Sequence, residues 1–383
     1  MSSKPLILAI DDDEREIRAK IPSGFTCEVV DPRKKEEFSD QISKFIDTAS
    51  LILIDHKFWD QPAPLSLTAM DGASFVAHLR SWSRLNEKKL APIVMFTNEA
   101  QAFANEIPAV GAAKPIGGTF VKREHRLAPT LDVEWIQFKA EDDATDHIAD
   151  LANAYIDTQK AAGTDGASLD DIESLLKLPP EAIWTIRARE ELQSARPPVN
   201  QTKGGGAELT RGPSQIVRWL CHRALPYPGL FLSDLYTAWA LGISREALEK
   251  LSACDPTITQ WASQLHACKY SGPLNRFLGQ RWWRAGIDQT VWQLDEEARK
   301  AGSRQQAFKT LAPNIDLGEL KSPASHVVIW TDDFREDAIV PTNKAVQLHP
   351  PGWPAEALEP WMLKAEVEND PVLKAMCDPS DLV

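Results

Sequence analysis

The residues best placed to do chemistry are carboxylates. Asp11, Asp12 and Asp13 follow the apolar run Pro5-Leu6-Ile7-Leu8-Ala9-Ile10, and Asp55 follows Leu51-Ile52-Leu53-Ile54. If the two runs lie side by side, Asp11, Asp12 and Asp55 converge. Like charges gathered so closely favour a divalent cation, and hard oxygen ligands suit Mg²⁺ best. These three residues are therefore the candidate metal ligands.

The elements that must position them are legible in the same stretch. A short, almost wholly apolar run that stops at carboxylates is the pattern of a strand buried on both faces of a parallel sheet. In such sheets the carboxyl ends of the strands open into the functional crevice. Strands are expected at Leu6–Ile10, Phe25–Val30, Leu51–Ile54 and Pro92–Phe96. Between them fall helices starting near Glu14, running from Lys34 to Asp47, and running from Asp71 to about Trp82. Strand and helix alternating at this spacing make βαβ units. The expected fold class is α/β, a doubly wound parallel five-stranded sheet, followed by a mostly α-helical C-terminal region.

The order of these residues resembles the receiver domain of bacterial response regulators, a flavodoxin-like fold, over residues 1–130. Asp11 and Asp12 stand where that family has an acidic pair, Asp55 where it has its phosphate-accepting aspartate, and Thr97 where it has a hydroxyl after the fourth strand. Met70-Asp71-Gly72 matches the family's Met-Asp-Gly at the start of the third helix. The resemblance implies a phosphoryl group accepted on Asp55 with Mg²⁺ held by Asp11, Asp12 and Asp55, and a signal passed through Thr97. A carboxylate can take a phosphoryl group if a cation screens it from the incoming oxygens. The family also has a lysine after the fifth strand. Lys122, after Gly118-Thr119-Phe120-Val121, is the preferred candidate, and Lys114-Pro115 is the alternative. The match departs from the family in a lengthened loop after Asp55, in Asn98 where a small residue is usual, and in Thr119 where an aromatic is expected.

Residues 131–212 read as a connector. Leu131–Phe138 alternates as an edge strand or an extended tether. Glu141–Lys160 follows as a helix with Ile148, Leu151, Ala152 and Tyr155 on one face. Lys203-Gly204-Gly205-Gly206 has no strand before it and no phosphate-loop pattern around it, so it reads as a linker. Residues 213–383 form the third part, mostly helical and of no identified type. There, a helix, Leu241-Gly242-Ile243-Ser244 and a second helix from Arg245 resemble the turn of helix-turn-helix DNA-binding units. Glu246 and Glu249 on the second helix oppose that reading, because they would face phosphates. Arg281-Trp282-Trp283-Arg284 combines cations with aromatic faces suited to stacking or to a protein hot spot. The scattered cysteines and histidines of this half (Cys221, His222, Cys254, His266, Cys268) lack zinc spacing and read as buried groups.

Composition bounds the rest. The chain has 383 residues, 43% of them hydrophobic, with net charge −13. That balance is against coating nucleic acid wholesale. No apolar run approaches the roughly 20 residues of a membrane span, which leads to an expectation of a cytoplasmic protein. No nucleophile–base pair stands out in the second half, so no enzymatic output is expected. The leading expectation is a signalling protein, phosphorylated by a histidine kinase or another phosphodonor protein. Its C-terminal half would then act on a protein partner. The alternatives are a pseudo-receiver interaction module without phosphoryl chemistry and a receiver-controlled DNA-binding regulator.

Overall fold

A computed structural model describes residues 4–58, 70–98, 128–162, 167–199, 212–255, 259–313, 322–332 and 334–382. They form two compact units, Met1–Leu175 with Pro197–His222, and Leu176–Arg196 with Arg223–Val383.

The first unit is built on a five-stranded sheet of β1 (Leu6–Ile10), β2 (Thr26–Val30), β3 (Ala49–Ile54), β4 (Ile93–Thr97) and β5 (Trp135–Phe138). All four neighbour pairs are parallel, and the spatial order is β2-β1-β3-β4-β5. The strand sequences follow from position in the sheet. β3 and β4 lie between neighbours and under helices, so every residue is buried, as in β1 from Ile7 onward. Edge strand β2 has one solvated face and alternates down to Val30. Helices α1 (Glu14–Lys20), α2 (Lys35–Phe45) and α3 (Gly72–Leu85) are the crossovers. Asp13 caps α1 by accepting from Glu16 N, and Asp71 caps α3 by accepting from Ser74 N at 2.7 Å.

The sheet continues past residue 130, where the sequence placed its boundary. β5 is Trp135–Phe138, the stretch read as an edge strand or a tether, and the next helix, α4 (Ala144–Ala162), packs on β3. The run Gly118–Val121, expected as the fifth strand, lies outside the described residues. Two features hold β5 in place. Glu134, just before it, is 1% exposed and receives Arg80 Nη2 at 2.9 and 2.8 Å, Arg218 Nε at 3.0 Å and the Ile93 amide. Arg218 also pairs with Asp132. It lies on the helix Pro213–Trp219, which packs on α4. The first part of the expected third region therefore belongs to the sheet unit.

The second unit is helical with a small sheet added. Its helices include Thr185–Ser194, Asp234–Leu241, Arg245–Ala253, Gln260–Ala267 and Arg284–Ala301. The four-stranded sheet runs Ala345–Gln347, Trp361–Leu363, His326–Trp330, Glu336–Pro341. Two of these strands are only three residues long and carry no readable period. Arg281–Trp283 pairs antiparallel with Phe231–Ser233. Trp282 and Trp283 are each 1% exposed and Arg281 donates to Leu225 O, so this segment is core and is not a stacking surface. Among the described residues, no helix is long and apolar enough to cross a membrane.

Candidate functional site

Chain order and spatial order part company at β1. The chain steps from β1 to β2 on one side, then to β3 on the other, so a crevice opens beyond the carboxyl ends of β1 and β3. Register levels the two strands, with Ile10 opposite Ile54 and Asp55 N donating to Ile10 O at 3.0 Å. Asp11 and Asp55 emerge side by side as a result. Carboxylate oxygens of Asp11, Asp12 and Asp55 lie within 4.8 Å of one another, the one such cluster of potential metal ligands among the described residues. The structure thus brings together the three residues expected to converge.

The cation that faces them is Lys139. β5 ends level with β4, Thr97 opposite Phe138, and Lys139 N donates to Thr97 O at 2.9 Å. From there the side chain runs over the Phe96 ring, Nζ standing 5.8 Å from its centre. The ammonium donates to Asp11 Oδ2 at 2.7 Å and stands 3.5 Å from Asp55 Oδ1 and 3.6 Å from Glu16 Oε2. Sequence reasoning missed it, having placed the site lysine at Lys122 or Lys114. Both lie outside the described residues. The available signal was a lysine directly following the alternating run Leu131–Phe138, with a long amphipathic helix after it.

Burial sets the electrostatics. Asp11 is 2% exposed and Lys139 3%. Burial pushes the Asp55 carboxyl up to about 6, Lys139 pulling it down and Asp11 adding to the rise. Asp11 is raised by the same burial, again against the pull of Lys139. For Lys139 burial works against the ammonium, but Asp55, Asp11 and Glu16 together hold it above the ordinary lysine value. A single lysine thus serves the buried Asp11 carboxylate and the half-buried Asp55 carboxylate. Asp12 is more open and turns to Arg33 Nη1 at 3.0 Å. An all-oxygen set with excess negative charge fits a hard divalent cation, which Asp11, Asp12 and Asp55 would hold.

Two backbone features hold the site in shape. Asp13 N donates to Asp11 Oδ1 at 2.8 Å, tying the first carboxylate to the turn above β1. Gly72 packs directly on the end of β3, its amide donating to His56 O at 2.9 Å. A Cβ there would stand 1.9 Å from Asp55 O, so no other residue fits without moving Asp55. The glycine of Met70-Asp71-Gly72 is required for this contact. Thr97, 1% exposed, ends β4 beside β3. Asn98, the enlarged residue after it, donates to both oxygens of Glu16 at 3.0 Å. The lengthened loop at 59–69 and Thr119 lie outside the described residues.

The second unit has no comparable centre among its described residues. Burial raises the Cys268 thiol to about 12, and in the first unit it holds the Cys221 thiol well above its ordinary value and lowers His222 to about 4. Gly242 at φ +75° and Ser244 as an N-cap make the expected turn between Asp234–Leu241 and Arg245–Ala253. Ala247, Leu248 and Leu251 of the second helix are buried. No protein-family model, curated protein or solved structure matches this chain.

Proposed function

We propose that the first unit is a receiver-like switch in which the Asp55 carboxylate accepts a phosphoryl group. The observation that carries this reading is Lys139, buried between Asp11 and Asp55 at the carboxyl edge of a sheet ordered 2-1-3-4-5. A nucleophilic carboxylate needs to be ionised and needs relief from the charge it attacks. With its carboxyl at about 6, Asp55 is largely ionised at neutral pH. Mg²⁺ held by Asp11, Asp12 and Asp55 would supply charge screening of the phosphoryl oxygens.

The chain's own residues do the remainder. Asp55 attacks phosphorus, forming the new phosphorus–oxygen bond, and the donor's leaving group (an imidazole nitrogen or an acyl oxygen) departs with the electron pair of its broken bond to phosphorus. Lys139, a compact point charge fixed by Asp11, offsets the charge gained by Asp55. Thr97 accepts the role of reader, its hydroxyl drawn to the new phosphoryl oxygens at the end of the neighbouring strand. Rearrangement there would alter β4 and the segment that follows, biasing two backbone states. The C-terminal region then acts on a protein partner, and the phosphodonor is a kinase or another phosphorylated protein.

Beryllofluoride, which mimics a phosphoryl group on a carboxylate, tests the reading without turnover. A saturable rise in melting temperature that requires both Mg²⁺ and Asp55 is expected. No response beyond that to Mg²⁺ alone would favour an interaction module that keeps the fold without the chemistry.

A further inference from the structure

The second unit holds a pocket of about 520 Å³ whose charged lining is Arg187, Glu191, Arg196, Arg223, Arg284 and Glu356. Four guanidiniums line it against two carboxylates, and Asp288 adds a third carboxylate 3.8 Å from Arg187 Nη2 and 4.0 Å from Arg284 Nε, which leaves a positive excess in a chain of net charge −13. Its volume is within the range of small-ligand sites, roughly 300–1,000 Å³. We infer that this pocket binds a small phosphate ester that also carries a hydroxyl or amino donor, a class that includes sugar phosphates and nucleotides.

The arginines are built in, but their donors are not used up. Glu356 aligns Arg223 through Nε at 2.7 Å and Nη2 at 2.8 Å, and its carbonyl takes Arg284 Nη1 at 3.3 Å. Glu191 aligns Arg187 through Nε at 3.0 Å. A guanidinium has five N–H donors, so each arginine so fixed still offers donors to an anion, in the planar fork that suits phosphoryl oxygens. Fixing them beforehand lowers the ordering cost of binding. Among the described residues, the Arg196 guanidinium has no hydrogen bond or ion pair.

Two further observations point to a ligand. Arg196 follows the helix Thr185–Ser194 at φ +50°, a left-handed conformation that strains a non-glycine residue. Glycine would hold that turn more easily, yet the position carries a guanidinium on the pocket wall. Glu191 Oε2 is buried and has no hydrogen-bond donor. An orphaned carboxylate oxygen beside a set of arginines asks for a ligand with a donor as well as an anion. Burial raises the Glu191 carboxyl, consistent with a group short of donors. The pocket lies wholly in the second unit, so the inference stands apart from the chemistry at Asp55.

Calorimetric titration of the full chain with inorganic pyrophosphate, ribose 5-phosphate and a nucleoside diphosphate tests it. Saturable binding of an organic phosphate tighter than that of pyrophosphate is expected, with affinity lowered roughly tenfold by Arg284→Gln, the loss of one charge-assisted bond. Arg196→Gly separates binding from folding. It relieves the backbone, so melting temperature should hold or rise while affinity falls at least severalfold. Binding unchanged in both variants, or no saturable binding of any of the three phosphates, would overturn the inference. So would an acidic peptide binding the same arginines more tightly than every phosphate.

Discussion

Lys139 donates to Asp11 at 2.7 Å across 128 residues of sequence, and the two are among the least exposed charged groups of the first unit. That bond joins the last strand of the sheet to its first. Removing either partner leaves a buried charge uncompensated, which typically costs 3–5 kcal/mol.

Lys139→Met should therefore destabilise the full chain by about 3 kcal/mol at pH 7.5, read by urea denaturation. With the ammonium gone, Asp11 and Asp55 hold protons more tightly. The loss should shrink as pH falls towards 5, and Mg²⁺ should restore part of it at pH 7.5. A loss independent of pH and Mg²⁺ would contradict the electrostatic account.

Asp55→Asn should have the opposite sign. The Asp55 carboxyl titrates at about 6 in the fold against 3.8 unfolded, so the folded state binds its proton more tightly between those values. Its contribution to stability is most favourable below 3.8 and is lost as pH rises through 6. Removing the charge should accordingly stabilise the protein above pH 7, by up to roughly 3 kcal/mol. The gain should vanish near pH 4. Melting temperatures of both proteins across that range check it.

Gly72→Ala places a methyl group 1.9 Å from Asp55 O. Overpacking of this kind costs about 1–3 kcal/mol or more, and the backbone shift that relieves it moves Asp55. Both stability and Mg²⁺ affinity should fall. Gly24→Ala, where a Cβ meets nothing within 4 Å, is the matched control and should change neither.

Glu134→Gln tests what fixes β5. The carboxylate is shared by Arg80 and Arg218 at the amino end of the sheet, away from Asp55. Removing its charge should cost about 3 kcal/mol of stability while leaving Mg²⁺ affinity at neutral pH within twofold. A large loss of Mg²⁺ affinity in a folded variant would show that the two ends of the sheet are coupled.

How much of this was legible depends on where each strand lies. β1, β3 and β4 are buried on both faces, so their sequences are nearly unbroken apolar runs, and Asp11, Asp55 and Thr97 at their ends follow directly. Edge strand β5 carries Gln137, whose side chain is satisfied by Glu141 at 2.6 Å and His147 at 2.7 Å. A buried amide with local partners looks like a surface residue in sequence. That single ambiguity moved the expected fifth strand to Gly118–Val121 and the site lysine with it. The pocket arginines were invisible for another reason, since they come from three separated segments and no spacing rule links them.

The direct test of the central claim is intact-mass analysis after incubation with acetyl phosphate and Mg²⁺. The account predicts a gain of one phosphoryl group, absent in Asp55→Ala, absent without Mg²⁺, and strongly reduced in Lys139→Met. No gain in the wild-type chain, or a gain that persists in Asp55→Ala, would contradict it.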